Sequence, residues 1–290
     1  MSHSLQAACY ADRARVLTCP IAENVQLARD TWRVRLAAPE IARTVLPGQF
    51  VMLRIAGLND PLIGRPLALY DVHNDAAGNA NEIDLVYLVK GKFTTRLAQC
   101  RAGAPLEIWG PLGNGFPAES CEHLVMVAGG IGYTPFLAVA QEYLGLRRFG
   151  DPPREAPRAQ RVTFCYGARS AAYFAGLDAF TAAGCELRLS TDDGTRGRHG
   201  LVTELLTEVL REDSANCRVV CCGPERMMEA VAEITTAASI PCRVSLETPM
   251  ACGIGICFTC VAKIRDESGE WDYRRTCIEG PVFDARLVEW

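Results

Sequence analysis

Cys252, Cys257, Cys260 and Cys277 are spaced C-x4-C-x2-C, with the last cysteine following after sixteen residues. This is the ligand spacing of a plant-type [2Fe–2S] cluster. Such a centre moves one electron at a time and makes or breaks no bonds itself. A chain built around it conducts electrons, so a donor and an acceptor must stand at its ends.

The residues around the ligands favour the same reading. No charged residue falls between Glu247 and Lys263. Gly253 and Gly255 let the backbone turn tightly and aim N–H groups at sulfur where a side chain would block them. Ile254, Ile256 and Phe258 supply a dry rim that tunes the potential of the centre. A structural zinc site is the first alternative, but it uses two short cysteine pairs with smaller gaps. Four buried free thiols are the second, and they would need no glycines between them.

Composition bounds what surrounds the cluster. A chain of 290 residues, 49% hydrophobic, can bury a large core and divides into two or three domains. Fourteen cysteines in a chain of this length, with no basic leader or long apolar stretch at Met1–Ala8, read as reduced thiols of a cytoplasmic protein. No window approaches a membrane span. A net charge of −4 leaves no basic footprint for nucleic acid. Cys9, Cys19, Cys100, Cys121 and Cys221 have no ligand spacing and read as structural.

Three sections must position the centre, with expected boundaries at 1–117, 118–242 and 243–290. In the first, short apolar or alternating runs recur at Arg13–Cys19, Thr31–Leu36, Gln49–Ile55, Pro66–Val72, Glu82–Val89 and Pro105–Trp109. Turn clusters separate them, which predicts a small antiparallel β-barrel with one short helix at Thr94–Cys100. Arg65-Pro66-Leu67-Ala68 stands at the start of one such strand. Arg65 there suits a phosphate and the strand backbone suits a flat ring, although Arg-Pro at a strand start is also an ordinary turn.

The second section alternates strand and helix, which implies a parallel sheet covered on both faces. Strands are expected at His123–Ala128, Arg161–Tyr166, Glu186–Ser190 and Arg218–Cys222. Helices are expected at Phe136–Leu146, Ala172–Ala182, Val202–Arg211 and Pro224–Ala238. The first strand runs into Gly129-Gly130-Ile131-Gly132-Tyr133-Thr134-Pro135. A strand, a glycine turn and a helix form the arrangement that holds a dinucleotide pyrophosphate, with Thr134 as N-cap and Pro135 as first helical residue. The pattern is not G-x-G-x-x-G, so a packing turn is the alternative. The third section is short enough that the cluster itself helps to hold it together.

Barrel, nucleotide domain and cluster tail in this order resemble the ferredoxin reductase superfamily. Met250-Ala-Cys-Gly-Ile-Gly-Ile-Cys-Phe-Thr-Cys260 with Arg275-Thr-Cys-Ile-Glu-Gly-Pro-Val-Phe-Asp284 resembles the electron-transfer subunit of type B dihydroorotate dehydrogenase. Gly110-Pro-Leu-Gly-Asn-Gly-Phe116 and Cys222-Gly-Pro224 also resemble motifs of that family, and the likeness covers nearly the whole chain. It implies FAD, a [2Fe–2S] cluster and NAD. It also implies a separate FMN-containing catalytic subunit as partner, two of each forming a heterotetramer that serves pyrimidine synthesis.

Carried over residue by residue, Arg65, Pro66, Leu67 and Ala68 fall on the family's Arg-Pro-Ile-Ser flavin segment. Val86, Tyr87 and Leu88 fall on a second flavin strand, and Phe93-Thr94 on a third contact. Three residues depart from the pattern: Ala68 replaces a serine, Leu88 a basic residue, and Phe93 a glycine where the backbone should approach the cofactor closely. Gly129, Gly130, Ile131, Gly132 and Pro135 are assigned to NAD. Cys222 falls near the nicotinamide by resemblance, and as a small buried hydrophobe on its own chemistry.

Electron counting demands the same parts. NAD+ takes a hydride, two electrons together, while an iron–sulfur centre delivers them singly. A flavin can hold the first electron until the second arrives. A barrel that oxidises dihydroorotate would need about 250 further residues, so the organic substrate belongs to the partner. The uncharged loop around the cluster predicts a permanent apolar interface there. An NAD(P)H-dependent reductase feeding an oxygenase uses the same parts with electrons flowing outward. A redox-sensing regulator would need an effector section that the chain lacks. Nucleotide choice rests on Arg169, suited to a 2′-phosphate or simply solvated, and on Asp192 and Asp193, suited to a ribose hydroxyl or to a turn.

Overall fold

The computed structural model describes residues 11–266 and 268–290. Cys9 lies outside them. Strands β1 (Arg15–Ala28), β2 (Thr31–Ala37), β3 (Phe50–Ile55), β4 (Arg65–Asn74), β5 (Ala80–Leu88) and β6 (Pro105–Leu112) close a barrel in the order β1-β2-β5-β4-β3-β6. Every pairing in it is antiparallel. Alternation drives closure: Val34 and Leu36 of β2, Ile83 and Leu85 of β5, and Leu106 and Ile108 of β6 point inward and are fully buried. Helix α1 (Pro39–Thr44) was not expected from the sequence; Pro39 at its first turn and buried Ile41 and Ala42 account for it. Helix α2 (Lys92–Leu97) follows β5 and starts two residues earlier than expected, because Thr94 Oγ1 accepts from the backbone N–H groups of Lys90 and Gly91.

Next, β7 (His123–Gly129), β8 (Arg161–Ala168), β9 (Glu186–Thr191), β10 (Arg198–His199), β11 (Cys217–Cys222) and β12 (Cys242–Ser245) pair in parallel in the order β10-β9-β8-β7-β11-β12. The central strand β7 is buried at every residue, as a continuous apolar run covered on both faces must be. Helices α3 (Phe136–Tyr143), α4 (Leu177–Ala183), α5 (Val202–Glu212) and α6 (Glu225–Ala237) pack on the sheet. The helix expected at Ala172–Ala182 is split, because Gly176 at φ +72° separates a 3₁₀ turn at Ala171–Tyr173 from α4. Tyr70 requires a glycine there, since a Cβ on Gly176 would lie 2.5 Å from its hydroxyl.

The tail forms the hairpin β13 (Val261–Arg265) and β14 (Trp271–Arg275), then β15 (Val282–Asp284). Strand β12 straddles the boundary expected between 242 and 243, and β15 pairs antiparallel with it. The cluster section is therefore stitched into the nucleotide sheet. Asn114, in the loop leaving the barrel, adds a second stitch. Its Nδ2 donates to the carbonyls of Glu279 (3.3 Å) and Val282 (2.8 Å), and its Oδ1 accepts from Val282 N–H (3.1 Å). Among the described residues no helix is long and apolar enough to cross a membrane.

Asn114→Ala strands two carbonyls and one amide at this junction, a loss of about 2–4 kcal/mol by the usual cost of unmade half-buried hydrogen bonds. The expected result is a lower unfolding temperature, with the visible absorbance of the cluster bleaching before the barrel unfolds. Differential scanning fluorimetry run beside the absorbance checks it; bleaching and unfolding at the wild-type temperature would refute it.

Candidate electron-transfer site

The ligand loop lies against the barrel because two glycines leave room for it. Gly253 (φ +74°) and Gly255 (φ +80°) take the left-handed conformation. A Cβ on Gly253 would lie 2.5 Å from Met52 Cγ and 2.9 Å from Leu112 Cδ1, and one on Gly255 would lie 2.5 Å from Ile278 Cδ1. Trp109 of β6 donates Nε1–H to the Cys252 carbonyl at 2.8 Å, which pins the loop to the barrel. At the other end, the Cys260 carbonyl accepts from the Thr276 amide (2.7 Å) and hydroxyl (3.1 Å).

The four thiols gather as two pairs, Cys252 with Cys257 and Cys260 with Cys277. Two pairs suit two irons, each holding two thiolates. Hydrogen bonds already favour thiolate here. The Thr259 hydroxyl and amide push Cys257 down to about 6. A bond from the Cys277 thiol pushes Cys260 down to about 6, while giving that bond raises Cys277. The Ile254 amide donates to Cys252 Sγ at 3.4 Å. This donor set fits the cluster that the spacing implies. Cys260 and Cys277 are buried, and Cys257 is exposed.

Around Cys257 the rim faces solvent, with Ile254 40%, Ile256 74% and Phe258 63% exposed. Phe258 is held at φ +56° with the Arg275 guanidinium 5.0 Å above its ring. An apolar rim around the most accessible ligand is the composition of a protein contact.

The expected flavin residues flank a split in the barrel. The first half of β4 pairs with β3, Arg65 to Ala68 opposite Leu53 to Phe50. From Leu69 onward β4 pairs with β5. Residues Val86–Leu88 pair with β2 on one side and with nothing on the β4 side. Backbone groups are thus left open along two facing edges, which suits a flat heteroaromatic ring. Arg65 is exposed, and its Nη1 donates to the carbonyls of Ile63 (2.8 Å) and Gly64 (3.1 Å). Tyr87 turns into the barrel, its hydroxyl donating to Asn24 Oδ1 at 2.9 Å, so it offers the cofactor backbone alone. Phe93 also points into the barrel core. The bulk that departs from the family pattern there fills the core and leaves the surface of the α2 turn open.

A cavity of about 700 Å³ opens at the carboxyl ends of the parallel strands, the usual ligand crevice of such sheets. Gly129, Gly130, Ile131 and Leu88 line it. Gly132, Thr134 and Pro135 are buried beneath them. Thr134 is not the N-cap of α3: the chain passes through a 3₁₀ turn at Gly130–Tyr133, and Pro135 stands at the cap position with no side-chain bond. Gly132 is required by close approach, since a Cβ there would lie 2.3 Å from the Cys222 carbonyl. Cys222 is buried behind the lining, and burial pushes its thiol well above the ordinary range. Arg169 and Asp192 both reach the cavity. Asp193 instead closes its turn by accepting from the Thr195 amide and hydroxyl. Lys90, Ser190, Arg226 and Glu247 also line the cavity and carry no local motif that would have marked them.

Family models match three consecutive stretches of the chain. Residues 18–116 match an oxidoreductase FAD-binding domain, 126–233 an oxidoreductase NAD-binding domain, and 247–289 the iron–sulfur cluster binding domain of dihydroorotate dehydrogenase B. The dihydroorotate dehydrogenase B (NAD(+)) electron transfer subunit of Desulforamulus reducens is 33% identical over 96% of this chain and 99% of its own length. That of Caldanaerobacter subterraneus subsp. tengcongensis is 34% identical over 83% and 86%. Among solved structures, an NADH-dependent reduced ferredoxin-NADP oxidoreductase chain studied for flavin-based electron bifurcation superposes with a TM-score of 0.76. It is 25% identical and covers 94% of this chain and 90% of its own. With three cofactor domains in order and a paired four-thiol loop seated on the flavin-type barrel, the chain belongs to the family of dihydroorotate dehydrogenase B electron transfer subunits.

Proposed function

We propose that this chain takes electrons singly from the FMN of a separate dihydroorotate dehydrogenase catalytic subunit. It passes them through the [2Fe–2S] centre and FAD to NAD+, in a cytoplasmic heterotetramer of two subunits of each kind. The observation that carries the reading is the position of Met52. Its side chain packs against Gly253 of the ligand loop, and its backbone is paired with Pro66 of the expected flavin edge. One residue of β3 thus separates the cluster loop from the flavin strand, which makes a short path for electrons.

Each residue set has a defined task in this reading. Cys252, Cys257, Cys260 and Cys277 hold the irons as thiolates. Arg65, Pro66, Leu67, Ala68, Val86, Tyr87, Leu88, Phe93 and Thr94 bound the flavin edge, with Tyr87 and Phe93 contributing backbone. Gly129, Gly130 and Ile131 admit the dinucleotide close to the sheet, while Gly132, Pro135 and Cys222 form the packed floor that shapes that turn. The flavin, when bound, supplies the conversion from single electrons to a hydride. The protein positions the nicotinamide against it and keeps water away. Ile254, Ile256 and Phe258 lie in the interface with the catalytic subunit, where burying them excludes water from around exposed Cys257.

Purification under anaerobic conditions with a co-expressed catalytic subunit tests the assignment; about one FMN, one FAD and two irons per pair of subunits are expected. Zinc in place of iron would refute it. Ile256→Asp places a charge in the interface and should weaken subunit association by about a hundredfold or more while the isolated subunit keeps its cluster spectrum. Sedimentation analysis showing an intact complex would refute the interface. NADH should reduce an artificial dye at least about tenfold more efficiently than NADPH, because the Asp192 carboxylate repels a 2′-phosphate. Asp192→Ser should narrow that ratio of kcat/KM; a ratio unmoved by the substitution would assign the preference elsewhere.

A further inference from the structure

Glu247 lines the dinucleotide cavity between β12 and the ligand loop, and no role described above uses it. Its carboxyl reaches the cavity's solvent, yet it makes no hydrogen bond or ion pair among the described residues. The residue is exposed on the cavity wall, and desolvation by the atoms around it raises its pKa against the field of Lys90. Its charge also reaches Cys222, where it adds to the burial that keeps that thiol protonated. The strand register places it there too: Cys222 of β11 pairs with Ser245 of β12, two residues before Glu247, and Glu247, Lys90 and Gly223 line the same cavity.

Those neighbours identify the end of the cavity that Glu247 occupies. Asp30, Thr31, Leu88, Val89 and Lys90 come from the barrel, and Leu88 closes the expected flavin edge. Arg169, Ser190, Asp192 and Thr203 come from the far side of the sheet. Hydride moves between rings in contact, so a nicotinamide must lie at the barrel end and the adenosine at the other.

We propose that Glu247 sets the cavity's preference for the oxidised over the reduced nicotinamide. The proposal rests on the cavity being the NAD site. NAD+ carries a positive charge on its ring and NADH carries none there, while the rest of the dinucleotide is the same. A carboxylate at the ring end attracts one form and is indifferent to the other. When hydride arrives at the ring, the ring's charge disappears and this attraction is lost with it. The acceptor is held and the product is released by the same side chain. Of the other charged groups facing this end, Lys90 opposes the effect and Asp30 adds to it, both exposed like Glu247 itself. Cys222 is a neutral thiol.

The test is calorimetric titration of the oxidised FAD- and cluster-loaded subunit with three ligands. These are NAD+, 1,4,5,6-tetrahydro-NAD (an uncharged ring that gives no hydride) and ADP-ribose, which has no ring. Glu247→Gln should weaken NAD+ by about tenfold and leave the other two within about twofold. Lys90→Met should move the NAD+ to tetrahydro-NAD ratio in the opposite direction, which keeps the test open if the first variant does not fold. An unchanged ratio in both variants, or parallel loss of all three ligands in Glu247→Gln, overturns the proposal. Wild-type protein that binds none of the three would instead sink the reading of the cavity on which it rests.

Discussion

Everything in this chain depends on a four-thiolate loop being pressed against a flavin-type barrel without a side chain between them. Gly253 makes that contact, and Met52 and Leu112 occupy the space a Cβ would need. Electron transfer between centres falls off steeply with separation, so the backbone must come close, and a glycine in the left-handed region lets it. The indole N–H of Trp109 then fixes the loop by its carbonyl instead of by its sulfurs. The ligands stay free for metal while the loop cannot drift.

That contact would fail if the cluster section were a free appendage. Strands β12 and β15 make it part of the nucleotide sheet, and Asn114 ties the barrel exit to both Glu279 and Val282. Glu119 extends the same logic along the sheet edge, accepting from Arg218 of β11 and Arg243 of β12. Charge-assisted bonds of this kind are geometrically demanding, and at half-buried positions they hold orientation more than they add stability. The result is three cofactor sections on one frame.

The barrel and the alternating domain were legible because their patterns are strong and local: period-two alternation in β2 and β5, an unbroken apolar run in β7. The ligands were legible because a cluster fixes spacing as well as residue type. Elements set by tertiary contact were not. The sequence carries no sign that Tyr70, from the barrel, would pack onto Gly176 in the second domain, where the helix breaks. Thr134 before Pro135 has the right chemistry for an N-cap, yet the 3₁₀ turn ahead of it takes the position as its own C-cap, and Pro135 stands at the start of α3. Phe93 looked like an obstruction because a motif position does not say which way a side chain points; the barrel core takes it. Glu247, Lys90 and Arg226 come from three separate segments, and only folding brings them to one cavity.

The split in the barrel and the cavity behind it divide the work between backbone and charge. Along β4 and β5 the sheet is parted before Leu69, leaving backbone groups of Arg65–Ala68 and Val86–Leu88 open toward each other. A neutral, hydrogen-bonding edge of this kind need not change as electrons come and go. The nucleotide cavity is built differently, with carboxylates and cations at both ends and glycines in the middle. The resident cofactor must stay through every turnover, whereas the nucleotide must leave, and a binding force that depends on its redox state favours that exchange. On the proposal made above, Glu247 supplies that dependence, its field acting on a ring charge that the reduced product lacks.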